Sequence, residues 1–398
     1  MKIGLITYSL NIGGVSTFIL SLSKFFREKG HFVEVITEEK RGPWFDDLCK
    51  EGIASDSIYC GLYAWLPFGT LIHSYRVGRF IKSKNYDVIL LNYALHAQLT
   101  AQMYNSKSIV ISIVHNDNKG IYQTAIRNLN NISAISCVSS ATFIRIKKFT
   151  DFKNIYCIPN GIQLPDTLPR FPKKKEDLLN IIFVGHLSNE QKGIFLIPAI
   201  LKKCKEKKIS NIHLTIVGEG KDKQELVRLL HDHHVYEMVT FKGNISRSAV
   251  YDLYLCHQLF LMPSYYEGLP LTLIESMACG CVPIVSFLKD ITDFCVEDKH
   301  EGFLCPIGDT EDFAEKIVYF GLNPLLIDEF GERCVQKAVN RFSLNRMGED
   351  YLHLINNLKE LNSNFDGFNL NIFSFKDILP RKVVLWFKKL MRKYLTYF

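Results

Sequence analysis

The chain has 398 residues, 47% hydrophobic and 22% charged, a composition that excludes a disordered polymer and predicts two domains of ordinary size. The formal net charge of +7 suits work on anionic phosphates or beside anionic lipid. It is too small to argue for nucleic acid, and no arginine run with interleaved aromatics suggests a nucleic-acid channel.

The 11 cysteines are odd in number and scattered through apolar segments, which reads as reduced buried thiols. MKIGLITYSL lacks the basic start and long apolar core of a signal peptide, and no stretch approaches the ~20 apolar residues of a membrane span. The expectation is a cytoplasmic protein.

The first half alternates apolar runs with amphipathic segments. KIGLITY, FVEVITE, DVILLNY, SIVISIVH and AISCVSS read as strands buried on both faces, because their apolar residues run on with little alternation. Between the first two, Val15, Phe18, Ile19, Leu22, Phe25 and Phe26 have helical spacing, and Gly30 is placed to end that helix. Gly13 and Gly14 stand between strand and helix, where the backbone can approach a ligand closely; they are not the G-x-G-x-x-G dinucleotide fingerprint. His115 closes the strand SIVISIVH, a strand-end position from which it can be a site residue or a satisfied structural histidine.

The stretch 164–177, LPDTLPRFPKKKED, has three prolines and a lysine run and reads as a linker. The alternation then restarts with NIIFVG, IHLTIVG, VTFKG, LFLMPS, VPIVS and GFLCP. The fold class expected is α/β: two Rossmann-like domains, 1–165 and 166–345, facing across a cleft. A closing helix is expected over 341–361 and a basic, aromatic tail over 362–398.

The segment with most chemical content is PSYYEGLPLTLIESMACGCVPIVS. A strand ends at Met262, a loop holds Glu267, Gly268, Leu269 and Pro270, and a helix starts near Leu271 or Thr272. Free N–H groups and the positive dipole end at such a start favour a diphosphate. Glu267 before the start and Glu275 within the first turns would repel phosphate directly. They make sense as acceptors of sugar and ribose hydroxyls.

Here the sequence resembles the family 4 retaining glycosyltransferases of the GT-B fold, whose EGxPxxxxE signature Glu267 and Glu275 match in spacing and setting. The resemblance extends to about residue 360. It implies that Glu275 holds the ribose, that Glu267 sits beside the transferred sugar, and that the amides near Leu271 and Thr272 face the diphosphate. It also implies that Gly13 and Gly14 lie over donor phosphate and sugar, and that His115 contacts the sugar. In FVGHLSNEQKGIF, Lys192 matches the family's phosphate-gripping lysine. His186 stands where the family has arginine, and a neutral imidazole offers one donor in place of a permanent fork.

The activity implied is transfer from a nucleotide sugar, a UDP-sugar by commonness in the family, to a hydroxyl of a glycan or lipid-linked acceptor. A same-face displacement fits the absence of an obvious carboxylate nucleophile. No metal is expected: HDHH at 231–234 has the wrong spacing for a compact site, and Cys279–Cys281 lacks a second cysteine pair. The alternatives are a sugar-nucleotide epimerase of the same fold and a non-catalytic sugar-nucleotide-binding partner. In the tail, Val383, Trp386, Phe387, Leu390 and Tyr394 have helical spacing opposite several lysines. This basic amphipathic pattern over 381–398 would suit either an anionic membrane at the inner leaflet or the protein's own surface.

Overall fold

In the computed structural model the described residues are 1–358, apart from 12, 60, 62–65, 67, 106, 117, 172–177 and 210. The tail expected over 362–398 lies outside them. The chain forms two compact units.

Unit 1 takes residues 1–138 and 142–158 together with the described residues from 347 onward. Its parallel strands are β1 (Lys2–Ser9), β2 (Phe32–Lys40), β3 (Ala54–Ser57), β4 (Val88–Asn92), β5 (Ile109–Val114), β6 (Ala134–Cys137) and β7 (Ile155–Cys157). They lie in the order β3-β2-β1-β4-β5-β6-β7. The direction of winding therefore reverses between β1 and β4. In such sheets the crevice for ligands opens there, beyond the carboxyl ends of the strands.

Unit 2 takes 159–346 with the short segment 139–141. It contains β8 (Leu179–Val184), β9 (Ile212–Val217), β10 (Val239–Gly243), β11 (Leu259–Met262), β12 (Val282–Ser286) and β13 (Phe303–Cys305). The order is β10-β9-β8-β11-β12-β13, so this sheet reverses between β8 and β11. Successive residues of one strand go to opposite cores. Leu259 and Leu261 pack with Ile181 and Ile284 on one face, while Phe260 and Met262 pack with Ile182 and Val285 on the other. That double burial is why the strands read as unbroken apolar runs.

β3 and β7 are the two strands the sequence reading omits. Both are edge strands: ASDS has little apolar content and IYC is only three residues long, so neither shows a buried-strand run.

The helix expected over 341–361 is instead two helices, Pro324–Phe342 and Leu344–Asn357. Ser343 between them is extended and accepts a hydrogen bond from Arg346 N–H at 3.3 Å, an N-cap arrangement. Ile162 pairs across it, donating to Phe342 O at 2.8 Å and accepting from Leu344 N–H at 2.7 Å. After this break the chain rejoins unit 1. A Cβ at Gly348 would lie 2.3 Å from the Phe25 ring, and Tyr351 Oη shares a 3.0 Å hydrogen bond with Ser136 Oγ. The crossover from unit 1 to unit 2 likewise falls at Ile158–Pro159, ahead of the expected 165. The described part of the linker is anchored on unit 2, with Phe171 packed so closely on Gly280 and Gly331 that neither position has room for a side chain.

Candidate functional site

The unit 2 site stands on the loops after β8 and β11, at the reversal of that sheet. Glu267 is buried, and three donors hold its carboxylate: Lys192 Nζ at 2.7 Å and Ser264 Oγ at 2.7 Å on Oε1, and Gln191 Nε2 at 3.3 Å on Oε2. The Lys192–Glu267 pair is largely out of water, with side-chain exposures of 16% and 6%, so it is screened far less than a surface pair. Gln191 and Ser264 are members that the sequence reading missed. Ser264 lies three residues before Glu267, and its only signal was its place in the same loop.

Glycine lets these loops meet. Gly193 has φ 59°, and a Cβ there would sit 2.1 Å from the carbonyl oxygen of Pro263. Tyr265 N–H donates to Gln191 O at 2.8 Å beside that approach. Between the loops after β8 and β9, Gly218 leaves equally little room: its Cβ would sit 2.0 Å from Gly185 O.

Five residues beyond Glu267, as expected, the helix Leu271–Ala278 is under way, with Pro270 at its N-cap and no side chain capping it. Its first N–H groups, Leu271 and Thr272 among them, lack intrahelical acceptors by helix geometry and are available to an anion. Gly268 and Leu269 are half-buried in the loop between, and Leu269 and Leu271 pack on the core beneath. Glu275 lies in this helix, and its Oε1 accepts from Arg247 Nη2 at 3.0 Å. Burial pushes its carboxyl above the usual range, and Arg247 opposes that shift without cancelling it. Arg247 had no signal in the sequence, since it stands 28 residues before Glu275 on another helix. His186 is exposed in the loop after β8, and its imidazole makes no hydrogen bond among the described residues.

Two adjoining stretches match known families. Residues 12–165 match "Glycosyltransferase Family 4" and residues 166–341 match "Glycosyl transferases group 1". The chain belongs to the family 4 glycosyltransferases.

It is 27% identical over 262 residues to the poly(ribitol-phosphate) alpha-N-acetylglucosaminyltransferase of Staphylococcus aureus (strain COL), an alignment covering 62% of this chain and 50% of that protein. It is 21% identical to the N-acetyl-alpha-D-glucosaminyl L-malate synthase of Bacillus anthracis over 88% of this chain and 95% of that one. Among solved structures, Anabaena Alr3699/HepE in complex with UDP superposes with a TM-score of 0.76 at 17% identity, covering 90% of this chain and all (100%) of that one. This likeness places the fold as GT-B, as does that to TarM (TM-score 0.71, 15% identity, 89% and 98% covered).

In this glycosyltransferase, unit 1 carries a second candidate surface. A cavity of about 490 Å³ lies at the β1/β4 reversal, lined by Gly13, Gly14, Ser16, Tyr93, His115 and Asn116 among others. The 15-residue helix Gly14–Glu28 starts there with no side-chain cap and no acid in its first turn. His115 is buried just after β5 and donates from Nε2 to Asn92 Oδ1 over 3.0 Å. Oδ1 is an acceptor, so Nε2 carries the proton and Nδ1, which has no partner, is left with a lone pair.

Burial pushes His115 down to about 3, so it is neutral throughout the physiological range. An unfolded histidine gains its proton near 6.5 and the folded one does not, so stability is lost as pH falls from 6.5 toward 3. His115→Leu keeps the volume but strands Asn92 Oδ1. Urea denaturation is expected to register a loss of about 1–3 kcal/mol, and an unchanged midpoint would show that the bond contributes nothing.

The described residues contain two groups of histidine and carboxylate close enough to share an ion, Glu39–His73–His96 and Glu297–His300–Glu301. Neither includes Glu267 or Glu275, and neither includes 231–234 or the cysteines at 279 and 281. The ten described cysteines are free thiols.

Proposed function

We propose that this glycosyltransferase moves a sugar from a UDP-sugar to a hydroxyl of a glycan or lipid-linked acceptor, with retention of configuration, in the building of surface polysaccharide or glycolipid. The observation that carries the reading is the buried Lys192–Glu267 pair beside an uncapped helix N-terminus at the β8/β11 reversal. It combines a site for a leaving diphosphate with an acceptor for sugar hydroxyls. Relatives named for diphosphoundecaprenol-linked and phosphatidyl-myo-inositol acceptors support a lipid-linked acceptor.

In this reading Lys192 and the amides of Leu271 and Thr272 meet the negative charge that develops as the C1–O bond to the diphosphate breaks. Glu267 orients the sugar and supports the positive charge on its ring. The leaving phosphate oxygen takes the acceptor hydroxyl's proton as that hydroxyl attacks from the same face. No metal is required for this step. Glu275 accepts from the ribose hydroxyls, and His186 adds little to phosphate binding. Gly13, Gly14 and His115 contact the donor from unit 1.

A membrane location is supported by unit 1. Residues 57–86 contain no aspartate or glutamate. The helix Gly69–Lys84 exposes Ile72 and Tyr75 beside Arg76 and Arg79, a pairing of apolar and cationic groups suited to an anionic lipid surface. No helix among the described residues is long and apolar enough to cross a membrane.

A panel of nucleotide sugars tests the reading. UDP-hexoses are expected to raise Tm and to be slowly hydrolysed in the absence of acceptor. Donor binding with neither hydrolysis nor transfer would leave a non-catalytic partner, and an epimerised donor would leave an epimerase. Glu275→Gln separates binding from stability. Its charge is opposed by burial, so the folded state holds a proton more tightly than the unfolded one, and ionised Glu275 costs stability at neutral pH. The variant is expected to melt no lower than wild type at pH 7 while KM for the donor rises about 10–100-fold from the lost charged hydrogen bonds. An unchanged KM would remove Glu275 from the ribose site.

A further inference from the structure

Tyr93 follows β4 directly, at the reversal of the unit 1 sheet, and its backbone lies in the left-handed region with φ 54°. That conformation is strained for a residue with a side chain and comfortable for glycine. The chain is pinned on both sides of it. Asn92 pairs with Thr7 and Ile113 in the sheet, and its side chain donates to Leu90 O at 3.1 Å and accepts from His115 at 3.0 Å. Beyond Tyr93, the short helix Leu95–Leu99 is fixed at its start, where His96 N–H donates to the buried Glu38 carboxylate at 3.2 Å.

Strain of this kind persists where the side chain has work that glycine could not do. Packing does not offset it here. The Tyr93 side chain is 49% exposed, and its hydroxyl makes no hydrogen bond among the described residues. The ring instead lines the cavity of about 490 Å³.

The other walls of that cavity define what the ring meets. Tyr8 and Ser9 come from the end of β1, Asn11 from the loop after it, and Asn116 and Asn118 from the loop after β5. Such amides and hydroxyls both donate to and accept from neutral hydroxyl groups. No lysine, arginine, aspartate or glutamate is among the described residues that line the cavity. A phosphate or carboxylate in the acceptor would call for a cation. The uncapped start of the helix Gly14–Glu28 favours an anion, and in the reading above the donor takes it.

An aromatic face among neutral polar groups fits a pyranose ring, which presents C–H groups on its face and hydroxyls around its rim. His115, which contacts the donor sugar in the reading above, is buried at 6% exposure. Tyr93 stands on the open side, where the second substrate arrives. We infer that Tyr93 is the stacking platform for an uncharged pyranose unit of the acceptor, the unit whose hydroxyl is glycosylated. The inference rests on the transfer reading and gives its acceptor a chemical class: a neutral sugar end, as opposed to a bare polyol phosphate.

The test uses the full chain with UDP bound. The probes are the methyl α- and β-glycosides of glucose, galactose, N-acetylglucosamine and N-acetylgalactosamine, with ribitol 5-phosphate as the polyol without a ring. Saturation-transfer NMR is expected to show at least one glycoside bound through its ring protons and ribitol 5-phosphate unbound. Transfer to that glycoside, from the donor that the nucleotide-sugar panel selects, gives its KM. Tyr93→Gly is expected to raise this KM about 10-fold, and Tyr93→Phe to change it by less than about 2-fold, since the ring carries the contact. KM for the donor is expected not to follow. Tyr93→Gly also relieves the left-handed turn, so its Tm is expected to be no lower than that of wild type, which separates lost binding from lost folding. Lys208→Gly, at φ 64° on the surface of unit 2, shows backbone relief alone and is expected to keep the glycoside KM. No glycoside bound by wild type, binding of ribitol 5-phosphate alone, or an unchanged glycoside KM in Tyr93→Gly would overturn the inference. So would an equal rise in KM for the donor, which would move the ring to the donor sugar. Failure of the transfer reading would show separately, as a wild-type protein that binds the glycoside through Tyr93 yet neither hydrolyses nor transfers.

Discussion

Lys192→Ala is expected to lower kcat by about 10²–10³-fold, the effect of removing one preorganised donor from developing negative charge. Lys192 stands 2.7 Å from Glu267 with little water around either group. Its loss therefore also strands a buried carboxylate that keeps only Ser264 and Gln191 as donors. Breaking such a pair costs up to about 3–5 kcal/mol of stability. The two consequences can be separated. Glu267→Gln added to Lys192→Ala removes the stranded charge, so Tm is expected to recover, and that recovery measures the stability cost; the kinetic cost is read in Lys192→Ala alone, well below its Tm, because Glu267 has its own role in transfer. A single variant with full kcat while folded would remove Lys192 from the phosphate site.

Gly193→Ala is expected to lower both Tm and kcat, although residue 193 bears no chemistry. Its φ of 59° costs an L-residue about 1–2 kcal/mol, and its Cβ would meet Pro263 O at 2.1 Å. The backbone must move there, between the loop carrying Lys192 and the loop carrying Glu267. A displacement near 1 Å can cost about 10²-fold in rate, which is the loss expected in kcat. Gly30→Ala is the control. Its φ is 80° with nothing within 4 Å of the added carbon, so it should show the backbone cost alone and an unchanged kcat. Equal kinetics in the two variants would mean that the Gly193–Pro263 approach does not set the geometry of the site.

Most strands and the outline of the site were legible from the sequence because they rest on local pattern. β8 and β11 are buried on both faces, and a doubly buried strand is apolar at nearly every position. The turn from Glu267 into the helix Leu271–Ala278 is likewise local, set by Gly268, Pro270 and the apolar run that follows. The break at Ser343 was not legible. Residues 341–361 carry a continuous helical pattern, and Ser343 becomes a cap only because Ile162, far away in the chain, pairs across it.

The sequence by itself determined the α/β class, the placement of Glu267 and Glu275 about a helix start, and Lys192 as a candidate cation. Each of these depends on residues within a few turns of one another. Tertiary structure alone decided that Lys192 pairs with Glu267, that Arg247 meets Glu275, and that His73, His96 and Glu39 converge. The reason is physical: burial and charge pairing are set by which strand ends the sheet order brings together. A sheet that reverses between β8 and β11 makes neighbours of loops about 75 residues apart, a separation over which local periodicity carries no information.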